Sequence, residues 1–263
     1  MYYTDYHCHS ILSMDGRVPL SVMARHMARA GIQEMCVTDH CDLLDENGHP
    51  VHDYDWPAAV KQFDETCPLF EGTLTLKLGL EFGMGHIDPA ASEKILSEPR
   101  LDFVIGSIHN LAPEKGGIDL FFADLSTPAA CAAALDDYFS SMEKLVRTPY
   151  FDILGHIIYP LRYMNGLAVI DPYLDRVTEI MRTVIHSDRG IELNTYRGHT
   201  VQEWTPVLRR YKDIGGAIIT VGSDAHDPAH AGGGVPAAYD LLKSLGFQHI
   251  CTYEKRVPRF IPI

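Results

Sequence analysis

No apolar run in this chain approaches the roughly 20 residues that a helix needs to cross a bilayer. Nor does a basic region followed by an apolar stretch open it; residues 1–9 already read as structure, so the expectation is a cytoplasmic protein without a signal peptide. Basic residues are scarce: 22 Lys and Arg stand against 35 Asp and Glu, a net charge of −13 with histidine neutral. A nucleic-acid surface needs a basic stripe, so that class of partner is not expected. The six cysteines (Cys8, Cys36, Cys41, Cys67, Cys131 and Cys251) form no C-x-x-C pair and read as reduced thiols. Hydrophobic residues make up 46% of the chain, enough for a large core, and 263 residues fit one barrel or two ordinary domains. The remaining partner class is a small molecule, and bound cations would offset part of the acidic excess.

What the chain does have is histidine, 14 in all. His7 and His9 close the apolar opening run, and in a strand residues i and i+2 face the same side. Two imidazoles aimed at one point suit a metal ion. The arrangement recurs. Glu34–Thr38 runs into Asp39–His40, and Leu76–Leu80 into Glu81. Phe103–Ile108 ends at His109, Phe151–Gly155 at His156, and Ala217–Ser223 at Asp224-Ala225-His226. Six strand-like segments thus end in residues that bind metals. Eight other histidines (His26, His49, His52, His86, His186, His199, His230 and His249) lack this placement and read as structural.

Helices are expected between these runs. Pro19–Gly31 carries apolar residues at helical spacing and a glycine stop. Thr127-Pro128 and Asp171-Pro172 place a capping residue before a proline, with the second helix ending at Gly190. Thr200 and Glu203 suggest a capping box for a helix reaching Ile214, and Pro236–Leu245 is another helix. The run Gly190–Asn194 supplies a strand with no obvious metal ligand. Strands alternating with helices imply a parallel sheet. An open sheet would gather its site at one crevice. Ligands at nearly every strand end call instead for a closed barrel, whose carboxyl ends converge on one face. The expectation is α/β: one domain spanning residues 1–263, a distorted (β/α)7 TIM-like barrel with its active site at the C-terminal ends of the strands. His249–Tyr253 could add an extra strand.

H-x-H at 7 and 9, Asp15, T-D-H at 38–40, G-x-E at 79–81, G-S-I-H at 106–109, G-H at 155–156 and S-D-A-H at 223–226 together resemble the PHP family, polymerase and histidinol phosphatase. The resemblance spans almost the whole chain and implies three divalent transition-metal ions. It implies one ion held by His7, His9, Glu81 and Asp224, a second by Glu81, His109 and His156, and a third by Asp15, His40 and His226. Imidazoles mixed with bridging carboxylates suit Zn²⁺, Mn²⁺ or Fe better than Mg²⁺. Cys8 lies between the two histidines and is expected to point away.

Arg162 and Arg197 fall in loops beyond strand ends, and a guanidinium fork matches phosphate geometry. The resemblance implies that both bind the substrate phosphate. It also implies that the chain hydrolyses L-histidinol phosphate, a step of histidine biosynthesis, with another small phosphate ester, such as a nucleotide or sugar phosphate, as the alternative. Glu81, Asp224 and His226 are the candidate catalytic groups, the last two as proton donors to the leaving oxygen. The segment Ala112–Leu125 offers two readings. Its Asp119, Phe121 and Phe122 could form an acid and aromatic wall for an imidazole and an ammonium, or serve as core packing, the reading preferred here. An amidohydrolase also begins with H-x-H but has no need of His40, Glu81 and His226. An accessory domain like those attached to polymerases often loses ligands, whereas all nine are present here.

Overall fold

The structure is a computed structural model that describes residues 1–263. Its sheet is parallel and built from β1 (Tyr3–Cys8), β2 (Ile32–Val37), β3 (His40–Asp42), β4 (Thr75–Gly83), β5 (Phe103–Ser107), β6 (Ile153–Leu154), β7 (Gly190–Asn194) and β8 (Ile219–Gly222). The strand order is β1-β2-β4-β5-β6-β7-β8, with short β3 pairing alongside β4. The two ends meet: Asp224 N–H donates to His7 O at 2.7 Å and His9 N–H to Ala225 O at 2.9 Å, which brings β8 onto β1. Seven βα units therefore wind one nearly closed barrel. Every residue of β5, β7 and β8 is buried, as expected for parallel strands covered on both faces.

Seven helices enclose the sheet: α1 (Leu20–Arg29), α2 (Trp56–Thr66), α3 (Pro89–Ile95), α4 (Pro128–Leu145), α5 (Leu174–His186), α6 (Thr205–Asp213) and α7 (Val235–Ser244). In α1 the buried residues Leu20, Met23, Ala24 and Met27 form the stripe that packs inward. Thr127 caps α4 as its sequence suggests, accepting from Ala130 N–H at 3.1 Å. Three expectations do not hold. Thr200 and Glu203 form no capping box: the Thr200 hydroxyl donates to Asn194 O instead, and α6 begins only at Thr205 after a 3₁₀ turn. Asp171-Pro172 likewise opens a 3₁₀ turn, with α5 starting at Leu174. That helix stops at His186, and Gly190 is the first residue of β7. Helices α2 and α3 escape the sequence reading, although both carry an Asp-capped start, Asp55 and Asp88, with proline in the first turn.

The segment expected as an extra strand, His249–Glu254 (β9), does not join the barrel. It pairs antiparallel with β10 (Val257–Pro262), and this hairpin covers the amino-terminal mouth. Cys251 and Tyr253 of β9 pack with Tyr6, Cys36, Phe103, Ile105 and Ile153 into a compact cluster below the polar end of the barrel. Tyr253 N–H donates to the Tyr6 hydroxyl at 2.8 Å, so this floor is hydrogen-bonded as well as apolar. Arg256 and Lys255 fasten the hairpin tip to Asp102 and Asp152 on the loops before β5 and β6. Five of the six cysteines are buried and all six are free, in keeping with reduced thiols. Removing the Tyr253 ring would open a cavity under the barrel. Tyr253→Ala should therefore destabilise the fold by roughly 3–5 kcal/mol, read as a lower urea midpoint with unchanged slope.

Candidate metal centre

Glu81, near the carboxyl end of β4, is fully buried, and its carboxylate is surrounded by five imidazoles. Oε2 lies 3.0 Å from His7 Nε2, 3.0 Å from His40 Nδ1 and 3.6 Å from His9 Nε2. Oε1 lies 2.7 Å from His156 Nε2 and 3.0 Å from His109 Nε2, and accepts from the Ser107 hydroxyl at 2.8 Å. The rings of His7 and His9 are 5.2 Å apart. Strand alternation alone does not aim them, because the β1–β2 register breaks between Asp5 and Cys8. Cys8 turns away, its thiol donating to Cys36 O.

The remaining expected ligands close the ring from β8 and the β1–α1 loop. Asp224 Oδ1 is 3.7 Å from His7 Nε2 and 3.6 Å from His9 Nε2. His226 Nε2 is 3.1 Å from Asp15 Oδ2 and 3.4 Å from His40 Nε2. All nine residues are thus brought together, and the members of each expected set lie close to one another. His9 also groups with His226 and His40, its ring centre 3.9 Å and 4.4 Å from theirs, as closely as with His7 and Asp224. His40, Asp42 and His109 form a further close set, and Asp42 is a residue the sequence reading missed.

Other carboxylates stand behind the imidazoles. Asp42 Oδ1 accepts from His109 Nδ1 at 2.7 Å, and an added side chain at Gly83 would overlap that carboxylate. Glu192 Oε1 accepts from His7 Nδ1 at 2.7 Å, so β7, read as a strand with no obvious metal ligand, supports a ligand from behind. Asp39 accepts from Ser13 and Ser10, and the Ser13 hydroxyl meets His9 Nδ1 at 2.9 Å. The only sequence signal for these groups was an acid inside an apolar strand or next to a ligand.

Buried His7 Nε2, His9 Nε2, His40 Nδ1 and Glu81 Oε2 have no hydrogen-bond partner. Orphaned lone pairs converging in one buried spot fit a cluster of divalent cations, and six imidazoles with three carboxylates fit borderline transition metals. Charge is polarised accordingly. Burial resists ionisation of Glu81, yet His7, His40 and His109 hold it well below the usual carboxylate range. Asp224 is held down likewise, against burial, by His7 and Arg162. Burial opposes a proton on His40, but Glu81 and Asp42 raise it to about 9. His9 is pushed well below the ordinary histidine value by burial and by His226 and His40.

Above these residues opens a cavity of about 310 Å³. One side carries Arg162 and Arg197. Arg162 is buried, donating to Asp224 Oδ2 at 2.8 Å and Asn194 Oδ1 at 2.7 Å, with its guanidinium 4.1 Å from the Tyr196 ring centre and 5.2 Å from that of Tyr159. Arg197 lies 3.4 Å from His226 Nδ1. Tyr196, Arg197 and Asp224 all hold left-handed backbone, with φ of 45°, 61° and 58°, and such strain at non-glycine residues clusters at functional sites. The lining also includes Glu46, Asp119, Phe121 and Phe122, with the Phe121 ring 5.4 Å from that of Tyr163. Phe121 and Phe122 are 60% and 57% exposed, so this segment is a pocket wall and not the core packing preferred from the sequence. Asn110 stitches the wall together by donating to Asp45 O and Gly117 O.

The PHP domain family model matches residues 5–196. A probable histidinol-phosphatase of Clostridium acetobutylicum is 27% identical over 97% of this chain and 98% of its own. The histidinol-phosphatase of Lactococcus lactis is 24% identical over 95% of this chain and 94% of its own. A crystal structure of histidinol phosphate phosphatase from Lactococcus lactis, complexed with zinc, L-histidinol and phosphate, superposes with a TM-score of 0.81 at 23% identity, covering 98% of each chain. That likeness shows the fold. The family match ends before β8, so Asp224 and His226 join the site on geometry.

These electrostatics give the metal-free protein a distinctive pH response. A histidine whose pKa is raised on folding stabilises fully below its unfolded value, near 6.5, and loses that stability as pH rises through the folded value. His40 titrates near 9, and His7 and His109 are raised too. Chelator-treated protein should therefore melt at progressively lower temperature between pH 6.5 and 9, while zinc-loaded protein changes less. A flat melting profile for the metal-free form would contradict the charge arrangement.

Proposed function

The chain belongs to the PHP family, and we propose accordingly that it is a metal-dependent phosphomonoesterase that hydrolyses L-histidinol phosphate to L-histidinol and phosphate. The observation that carries the substrate is the mixed lining of one cavity. The ligand cluster with Arg162 and Arg197 suits a phosphate dianion. Glu46 and Asp119, in the same lining as Phe121, Phe122 and Tyr163, suit a planar imidazole and an ammonium. The relatives' names point the same way.

His7, His9, Asp15, His40, Glu81, His109, His156, Asp224 and His226 would hold divalent ions, with Glu81 shared between them. Such ions, when bound, supply a strong oxygen nucleophile at neutral pH and neutralise charge on the phosphate. The residues of the chain do the rest. Arg197 and Arg162 orient the phosphoryl group, Arg162 being pre-set by Asn194 and by the faces of Tyr196 and Tyr159. Asp224 is bound to Arg162 and held ionised, so it is poorly suited to donate a proton to the leaving oxygen.

The test is phosphate release from L-histidinol phosphate against glycerol, sugar and nucleotide phosphates. Activity should be lost with chelator and restored by Mn²⁺ or Zn²⁺. Asp119→Asn should depress kcat/KM for L-histidinol phosphate at least tenfold while leaving glycerol phosphate nearly unaffected; equal effects on both would remove the substrate assignment. Arg197→Ala and Arg162→Ala should each lower kcat/KM by roughly 2–4 kcal/mol, with lysine rescuing only part. Wild-type kinetics in the alanine variants would mean that no phosphate clamp exists.

A further inference from the structure

Glu192 lies on β7, and its carboxylate is almost wholly buried with no lysine or arginine paired to it. Its one ion-pair partner is His7, whose Nδ1 sits 2.7 Å from Oε1. Oε2 accepts the backbone N–H of His156 at 3.0 Å, and Asn194 Nδ2 lies 3.3 Å from both oxygens. Burying a carboxylate costs several kcal/mol, which these contacts must offset.

The path of the contact is unusual. β7 is not a neighbour of β1; β8 stands between them. Glu192 meets His7 across β8 at Gly222, where an added Cβ would sit 2.3 Å from His7 Cβ and 2.5 Å from Glu192 Oε1. Any larger residue at 222 would part the pair. Glycine at this position is required by the close approach, not by its backbone angle.

Resting on the metal-centre reading above, we infer that Glu192 is a positioning residue that holds the His7 imidazole through the gap at Gly222 and ties it to the strand end bearing His156. With Nδ1–H committed to Glu192, the lone pair of His7 resides on Nε2. That atom has no hydrogen-bond partner and lies 3.0 Å from Glu81 Oε2. One side chain thereby fixes both the tautomer and the aim of a ligand, and it couples that ligand to a second one on another strand. Partners of this kind typically alter metal affinity 10–100-fold when removed.

The experiment uses full-length protein, stripped and reloaded with Co²⁺, in wild-type, Glu192→Gln and Gly222→Ala forms. A glutamine at 192 has one acceptor oxygen and one NH₂, so it cannot serve both N–H donors whichever way it turns. Competition with a chromophoric chelator should show Co²⁺ bound 10–100-fold more weakly by Glu192→Gln, and the visible spectrum of the loaded protein should shift. Gly222→Ala should act in the same direction. Metal-free Glu192→Gln should still melt in one cooperative transition, at a somewhat lower temperature because its ion pair with His7 is gone. Wild-type affinity and spectrum in Glu192→Gln would overturn the inference. So would an affinity loss in a variant whose metal-free form no longer melts cooperatively, since that is general unfolding of the barrel. If wild-type protein bound no Co²⁺ at all, the metal-centre reading itself would fall, and the inference with it.

Discussion

The Glu81 carboxylate is the constraint around which the upper barrel is organised. Five imidazoles within 3.6 Å of its two oxygens could not share a dry space if left to their mutual repulsion. Glu81 draws them inward, and three of them are then supported from behind by groups on the outer side: Glu192 for His7, Asp42 for His109, and Ser13 with Asp39 for His9. The result is alternating shells of negative and positive groups. Such an arrangement is costly in an empty interior and favourable once cations occupy the centre, because buried charge is tolerable only when paired.

The barrel separates this tension from its own stability. Apolar residues between sheet and helices form the main core, and the C-terminal hairpin seals the opposite mouth with Tyr253 over Tyr6 and Phe103. The metal-binding residues gather at the other end. Left-handed backbone at Tyr196, Arg197 and Asp224 presents to the cavity one arginine, a ring that backs Arg162, and a carboxylate. Each such residue costs of order 1 kcal/mol or more, which the closed sheet below can bear.

Much of this architecture is legible in the order of the residues. Alternation of apolar runs with capped helices announces a parallel sheet, and the repeated position of the ligands at run ends announces closure into a barrel, because no open sheet brings that many strand ends to one point. The helices with the clearest signals, α1, α4 and α7, form close to where the sequence places them. Where local signals mislead, a tertiary partner intervenes. Thr200 forgoes its cap and donates instead to Asn194 O, which also accepts from Trp204 Nε1. Phe121 and Phe122, read as core in preference to wall, are exposed, since composition does not say which side of a loop meets water.

The sequence by itself determined which atoms could meet: strand period and parallel topology send residues at the ends of successive strands to one face. It did not determine how they group. His9 is shared between two sets because ring stacking with His40 and His226 depends on how β1 bends at its register break. Nor could it reveal Glu192, an acid hidden in an apolar strand whose partner lies 185 residues away. That contact exists only because the closure of the barrel lays β8 beside β1 and Gly222 leaves room between them. Through-space geometry of this kind has no local period to betray it, and only the tertiary structure decides it.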